Sequence, residues 1–160
     1  IDIGGGTSRF AAHMADLGIQ DVTVVDLSKA ALDAIRKQLG ARAETITWVD
    51  ADITKWEPGR RYDLWHDRAV FHFLIDRDDQ TAYIDRLSRS LKLGAHAIIA
   101  TFAPDGPETC SGLPVARYSP ETLGETLGGG YRLVRSLART HVTPTEKEQR
   151  FTYAVFQRQG

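Results

Sequence analysis

A three-layer α/β fold, a mostly parallel sheet with helices wound on both faces, is what the 160-residue sequence predicts. Three observations carry that expectation. Short β-branched runs alternate with amphipathic helical patterns, as they do when strands are joined by helical crossovers. The first run, Ile1 to Ile3, ends in the consecutive glycines Gly4, Gly5 and Gly6 before a helical pattern begins near Phe10. Glycine gives up the most backbone entropy on ordering, so such a triplet marks a sharp turn whose backbone lies against a ligand. The last two strand-like runs are joined by too few residues for a crossover and should pair antiparallel. A strand, a glycine turn and a helix amino terminus together make a pocket for a nucleotide-type group.

Phe10, Met14 and Leu17 fall at i, i+4 and i+7 and predict the inner face of a first helix, which Gly18 ends. Val22 to Val25 is a short buried strand that stops at Asp26. Ser28 can N-cap a second helix with Leu32, Ile35 and Leu39 inward and Gly40 at its end. Thr45 to Val49 is a third strand, followed by Asp50 and Asp52, and a loop with Pro58 and Gly59 leads to a fourth, Tyr62 to His66, ending at Asp67. The apolar stretch Val70 to Ile75 precedes a helix from about Asp79 to Leu91, with Tyr83, Leu87 and Leu91 inward and Gly94 as its cap. Ala95 to Phe102 is a fifth strand. The following loop, Ala103 to Tyr118, holds Pro104, Pro107 and Pro114 and is long enough to be functional more often than not. Ser119-Pro120-Glu121 starts another helix, with serine as cap and proline at its first position. Tyr131 to His141 and Gln149 to Phe156 are the last strands. Without a repeat or a clear boundary, the chain is expected to be a single domain over 1–160.

Composition narrows the functional classes. A net charge of -1 gives no electrostatic reason to expect nucleic acid or an anionic membrane as partner. No apolar run approaches the roughly 20 residues that span a bilayer. The single cysteine, Cys110, excludes an internal disulfide framework and suits a reducing, cytoplasmic setting. The histidines and the cysteine lack metal-ligand spacing, so no metal is expected. Trp48, Trp56 and Trp65 read as core or edge packing. Strand one begins in mid-stride at Ile1, so an amino-terminal segment is expected to be missing ahead of it. Oligomeric state is not readable from these features.

The dinucleotide fingerprint G-x-G-x-x-G needs a third glycine for tight helix-strand packing. Counted from Gly4 and Gly6 that position is Arg9, which cannot fill a role that depends on having no side chain. The pattern D-x-G-x-G-x-S, through Asp2, Gly4, Gly6 and Ser8, instead resembles the first motif of class I S-adenosylmethionine-dependent methyltransferases, with Ser8 where glycine is usual. Asp26 after strand two, Asp52-Ile53 after strand three, Tyr62-Asp63-Leu64 in strand four and Leu93-Gly94-Ala95 before strand five extend the resemblance over nearly the whole chain.

That resemblance implies a doubly wound, Rossmann-like sheet of seven strands in the order 3-2-1-4-5-7-6, with the seventh antiparallel. It implies S-adenosylmethionine as cofactor and methyl transfer to a nitrogen, oxygen or sulfur nucleophile of a small molecule or a protein side chain. It assigns Asp2, Gly4, Gly5, Gly6 and Ser8 to the cofactor's turn, and Asp26, beside Leu27, to the ribose hydroxyls. Asp52 would stand near the adenine amino group, Ile53 on the ring, and Asp67 at the methyl end. It further implies helices before strand one, which this sequence lacks. Charge agrees: Asp26, Asp52 and Asp67 suit a ligand with a sulfonium and an ammonium group and would repel a pyrophosphate.

Methyl transfer is an in-line displacement, and alignment with desolvation can supply up to roughly 7–11 kcal/mol of its barrier. A base is needed only where the acceptor arrives protonated. His66 or Asp67 could orient or deprotonate it; alternatively Asp67 makes backbone contacts alone, or pairs with Arg68. His72 is either an acceptor contact or a hydrogen-bonded core histidine. Topology sets the 103–118 loop over the pocket, with Cys110, Arg117 and Tyr118 as acceptor contacts; Cys110 reads equally as a small buried hydrophobe and Arg117 as a pin for the loop. His141 is a further candidate base, or a solvated turn residue. Two other readings stay open: a nicotinamide dehydrogenase, against which Arg9, the final hairpin and the lack of a Tyr-x-x-x-Lys pair count, and a non-catalytic remnant that binds cofactor or a partner.

Overall fold

The computed structural model describes residues 1–6, 9–143 and 145–160, so Ser8 of the glycine turn lies outside the described residues. The chain forms two compact units, Ile1–Glu57 and Pro58–Gly160, divided at the Pro58-Gly59 loop.

The first unit contains β1 (Asp2–Ile3), α1 (Phe10–Asp16), β2 (Val22–Asp26), α2 (Lys29–Leu39) and β3 (Ile46–Asp50). β2 is the central strand. It pairs parallel with β1 through Asp2↔Val24 and Ile3↔Val25, and with β3 in a register that ends at Asp26↔Asp50. Val22 to Val25 are all buried, as expected of a strand covered on both faces. The Ser28 hydroxyl accepts the Ala31 N–H at 3.2 Å to cap α2, and Leu32, Ile35 and Leu39 pack with Val22, Val24 and Ile46.

α1 corrects the expected face. Its buried residues are Ala11 and Ala12, Met14 is only partly covered, and Leu17 is 63% exposed at the C-cap. A helix of 7 residues has little length over which to bury side chains, and two alanines let it lie close to the sheet. A 3₁₀ turn over Gly40–Thr45 also takes up the start of the expected third strand and delays it to Ile46.

The second unit contains β4 (Tyr62–Arg68), α3 (Arg77–Ser90), β5 (Leu91–Phe102), α4 (Pro120–Leu127), β6 (Tyr131–Val142) and β7 (Glu148–Arg158). Its strands run in the order β4-β5-β7-β6, with β7 antiparallel to both neighbours; the first unit runs β3-β2-β1. Each unit thus holds its share of the expected order. Trp65, Tyr83, Leu87, Ile99, Leu123 and Phe156 are fully buried. α4 opens on a capping box in which Ser119 and Thr122 bond each other's backbone N–H groups, with Pro120 following.

Gly94 does not cap α3. The helix starts at Arg77 and passes directly into β5, because Leu91 is already extended and paired with Tyr62. Gly94, at φ +77°, sits where the register shifts from Tyr62↔Leu91 to Leu64↔His96, a bulge that glycine accommodates without strain. The expected 103–118 loop also contains a hairpin of Thr109–Cys110 with Leu113–Pro114. Ser111 (φ +51°) and Gly112 (φ +80°) make its tight turn. Among the described residues, no helix is long and apolar enough to cross a membrane.

Candidate functional site

β1, β2 and β3 run parallel, so their carboxyl ends share one edge of the first unit. There Gly4 takes φ +68° and keeps its N–H on the Val25 carbonyl at 2.7 Å, so the chain turns while still tied to β2. The next two glycines are required by contact. A Cβ on Gly5 would stand 2.3 Å from Oδ2 of the buried Asp2, and one on Gly6 would stand 2.6 Å from Asp26 Oδ2 and 2.8 Å from the Ala31 Cβ.

Asp26 holds this turn. Its Oδ2 accepts the Gly6 N–H at 2.8 Å and its Oδ1 accepts the Ser28 N–H at 2.7 Å. Each carboxylate oxygen keeps further acceptor capacity, and the residue is half-buried beside Leu27, which is 75% exposed. The Ala51 N–H donates to the Asp26 carbonyl at 3.0 Å, which brings the exit of β3 to the same place. Asp52 follows. Its Oδ1 accepts the Thr54 N–H and hydroxyl at 2.9 and 2.7 Å, and its Oδ2 lies 3.2 Å from Lys55 Nζ. The Thr54 hydroxyl, helped by the Thr54 amide and Lys55, holds the Asp52 carboxyl below the usual carboxylate range in spite of some burial. Ile53 is buried. Gly4, Gly5, Gly6, Asp26 and Asp52 therefore share the carboxyl edge of three adjacent strands.

In the second unit the last residue but one of β4 is Asp67, whose side chain is fully buried. Its Oδ1 accepts the Val70 N–H at 2.8 Å, and its Oδ2 accepts the Phe71 N–H at 3.0 Å and the Tyr83 hydroxyl at 2.6 Å. Tyr83 in turn accepts the Trp65 indole N–H at 2.8 Å. Burial outweighs these bonds and raises the Asp67 pKa to about 6, while burial and the neighbouring Asp67 push Tyr83 well above the usual phenol range. The carboxylate staples a turn in which Ala69 takes φ +69°. It presents no surface to an acceptor. Arg68 lies over the Phe151 ring, 5.7 Å from its centroid, and His66 is buried.

His72 is fully buried, edge-on to Phe73 at 4.6 Å and tilted on Phe102 at 4.8 Å between ring centroids. Among the described residues neither of its ring nitrogens has a hydrogen-bond partner. Burial lowers its pKa to about 4, so the ring is neutral at neutral pH. It has the burial of a core histidine and lacks the hydrogen bond. The Ala116 N–H donates to the His72 carbonyl at 2.8 Å and ties the 103–118 loop to this turn.

Within the loop, Arg117 donates to the Gly106 carbonyl and to Glu108, both at 3.2 Å, which is the pinning role. Tyr118 is buried, its hydroxyl accepts from Gln80 Nε2 at 3.1 Å, and burial raises its pKa. Cys110 packs half-buried against the group formed by Ala100, Phe102 and Phe151. His141 is exposed near the carboxyl end of β6, opposite Gln149. No cluster of metal-ligating side chains occurs among the described residues. Sequence reasoning missed the Trp65–Tyr83–Asp67 chain. Its signal was a tryptophan and a tyrosine on inward faces, whose polar tips need partners when buried.

A family model described as a methyltransferase domain matches residues 1–94. Malonyl-[acyl-carrier protein] O-methyltransferase 2 of Ilyobacter polytropus is 24% identical over 106 residues, which is 66% of this chain and 39% of that protein. The eEF1A lysine and N-terminal methyltransferase of Mus musculus is 22% identical over 162 residues, 96% of this chain and 22% of that protein. The chain therefore spans well under half the length of these curated relatives. The solved structure of the Burkholderia thailandensis 1,6-didemethyltoxoflavin-N1-methyltransferase, with 1,6-didemethyltoxoflavin and S-adenosylhomocysteine bound, matches with a TM-score of 0.76 at 19% identity. It covers 99% of this chain and 70% of its own, and the likeness shows the fold.

Proposed function

The chain belongs to the methyltransferase-domain family, and from that premise we propose that it transfers a methyl group from S-adenosylmethionine to a nitrogen, oxygen or sulfur nucleophile of a small molecule or a protein side chain. The observation that carries the choice of cofactor is the bond from the Gly6 N–H to Asp26 Oδ2 at 2.8 Å. A pyrophosphate at this turn would need that amide and would face that carboxylate. A cationic adenosyl compound needs neither amide nor basic side chain there, and a carboxylate suits it.

S-adenosylmethionine supplies a methyl group already activated on a sulfonium. The chain's part is to bind and align. Asp26 has acceptor capacity left for the ribose hydroxyls, Leu27 offers exposed apolar surface beside it, and the cramped glycines let backbone approach the amino-acid end. Asp52 is the acceptor for the adenine amino group, with its second oxygen shared with Lys55. Asp2 contributes from below Gly5 as support for the turn.

In the second unit, Asp67, Arg117 and Tyr118 position the β4 turn and the 103–118 loop. His141, exposed near the end of β6, is the group that takes a proton from an acceptor that arrives protonated. Residues 1–160 act as one functional domain in this reading, in keeping with a single solved neighbour that covers 99% of the chain. A reducing, cytoplasmic setting belongs to it as well, on the strength of the lone Cys110.

Calorimetry tests the proposal. S-adenosylhomocysteine is expected to bind with micromolar affinity and NADH not at all, and Asp26→Asn is expected to weaken S-adenosylhomocysteine about 10–100-fold, since hydrogen bonds to a charged group contribute about 1.5–3 kcal/mol. Binding of NADH, or an affinity that Asp26→Asn leaves unchanged, contradicts it. Binding of neither ligand favours the non-catalytic reading.

A further inference from the structure

A neutral imidazole has one donor and one acceptor nitrogen. At His72 both are sealed from solvent with no partner among the described residues, and a buried polar group left unmet is destabilising. Native interiors rarely keep such groups without a water, an ion or a ligand to meet them. The surroundings say what chemistry suits. Phe73 and Phe102 flank the ring at 4.6 and 4.8 Å, and Phe151 meets Phe102 edge-on at 4.8 Å. A charged group would be costly against such walls. A carboxylate could only accept and an ammonium could only donate, whereas a hydroxyl does both and can serve either nitrogen of an uncharged histidine.

The cover over His72 is a piece of chain with internal bonds of its own. The 103–118 loop is stapled by its own bonds, Val115 N–H to the Glu108 carbonyl at 3.1 Å, Gly106 N–H to the Ala103 carbonyl at 2.8 Å, and the Arg117 contacts. It is tied to its surroundings through the Ala116 N–H on the His72 carbonyl, the Asp105–Arg150 ion pair and the bond from Gln80 Nε2 to the Tyr118 hydroxyl. Lifting the loop breaks those ties and the packing of Cys110 and Val115, and leaves its internal bonds intact.

We propose that the turn at His72, walled by Phe73 and Phe102 and covered by the 103–118 loop, is a subsite for an uncharged aromatic hydroxyl compound, with the ring among the phenylalanines and the hydroxyl on the imidazole. The subsite deepens the methyl-transfer reading and rests on it for its place in a reaction, as the acceptor's binding site. His72 binds and orients. A histidine held neutral by burial is too weak a base to take the hydroxyl proton at rest.

The test is imidazole ¹⁵N NMR on the full chain, titrated separately with phenol, benzoate and benzylammonium, with His72→Phe to assign the ring signals. Phenol is expected to move the His72 signals saturably and the two ions to leave them in place. His72→Phe should weaken phenol at least about tenfold without changing affinity for S-adenosylhomocysteine, and His72→Gln, which keeps a donor and an acceptor, should restore part of it. No response to phenol, an equal response to all three probes, or an unchanged phenol affinity in His72→Phe overturns the subsite. If His72→Phe does not fold, the wild-type signals with the His72→Gln comparison decide it. A phenol response without S-adenosylhomocysteine binding would overturn the methyl-transfer reading and leave the subsite standing, so the two fail separately.

Discussion

Gly6→Ala is expected to abolish tight binding of S-adenosylhomocysteine, with an affinity loss of about 100-fold or more. The added methyl would sit 2.6 Å from Asp26 Oδ2 and 2.8 Å from the Ala31 Cβ. Ala31 belongs to the first turn of α2 and has no flexible end that could swing aside, so either the turn or the helix must move. The carboxylate would be pushed off the Gly6 N–H, which removes the bond that shapes the turn and the acceptor meant for the ribose. Overpacking of this kind costs about 1–3 kcal/mol in stability as well. Gly59→Ala is the matched control, because a Cβ there meets nothing within 4 Å; a change within about 0.5 kcal/mol is expected. Calorimetry and thermal denaturation of the pair check the prediction, and a Gly6→Ala protein that binds like wild type would show that the turn has room to spare.

Asp67→Ala is expected to destabilise the protein by about 2–4 kcal/mol at pH 7, or about 2–4 °C of melting temperature per kcal/mol in a chain of this size. The substitution strands the Val70 and Phe71 N–H groups and the Tyr83 hydroxyl in the interior. Removal of a charge that burial disfavours offsets part of that cost. The sign of the pH dependence follows from the raised pKa of about 6 against an ordinary 3.8. Between those values the folded state holds a proton that the unfolded state has lost, so stability from this group is full below about 4 and is lost as pH rises through about 6. Wild type therefore gains on acidification from pH 7 to 5 what the alanine variant cannot, and the gap between them should widen by about 1 kcal/mol. Denaturant titrations at the two pH values measure it. A gap that narrows on acidification would mean that the carboxylate is better stabilised as an anion than its surroundings imply.

The glycine turn was legible because three consecutive glycines suit a cramped turn: Gly4 takes a positive φ, and Gly5 and Gly6 have no room for a Cβ. The acids after β2 and β3 were legible because parallel strands of known direction end at one edge. What the sequence concealed depends on partners far along the chain. The Asp26 bond to the Gly6 N–H spans 20 positions and the Asp67 bond to Tyr83 spans 16, and no periodicity announces either. The inner face of α1 is hidden in the sequence, because its periodic large side chains suggest one face, whereas Ala11 and Ala12 are the residues that are buried. Gly94 fits a helix cap as well as a strand bulge until the pairing of Leu91 with Tyr62 is known. The unmet nitrogens of His72 are invisible in a sequence, which shows a polar residue in an apolar run and not whether anything meets it.

A crystal structure of the chain with S-adenosylhomocysteine is the most direct test of the cofactor site. The ribose hydroxyls should lie about 2.6–3.2 Å from the Asp26 carboxylate, with the amino-acid end along Gly4 to Gly6. A ribose bound away from Asp26, or a ligand anion displacing that carboxylate from the Gly6 amide, would contradict the assignment.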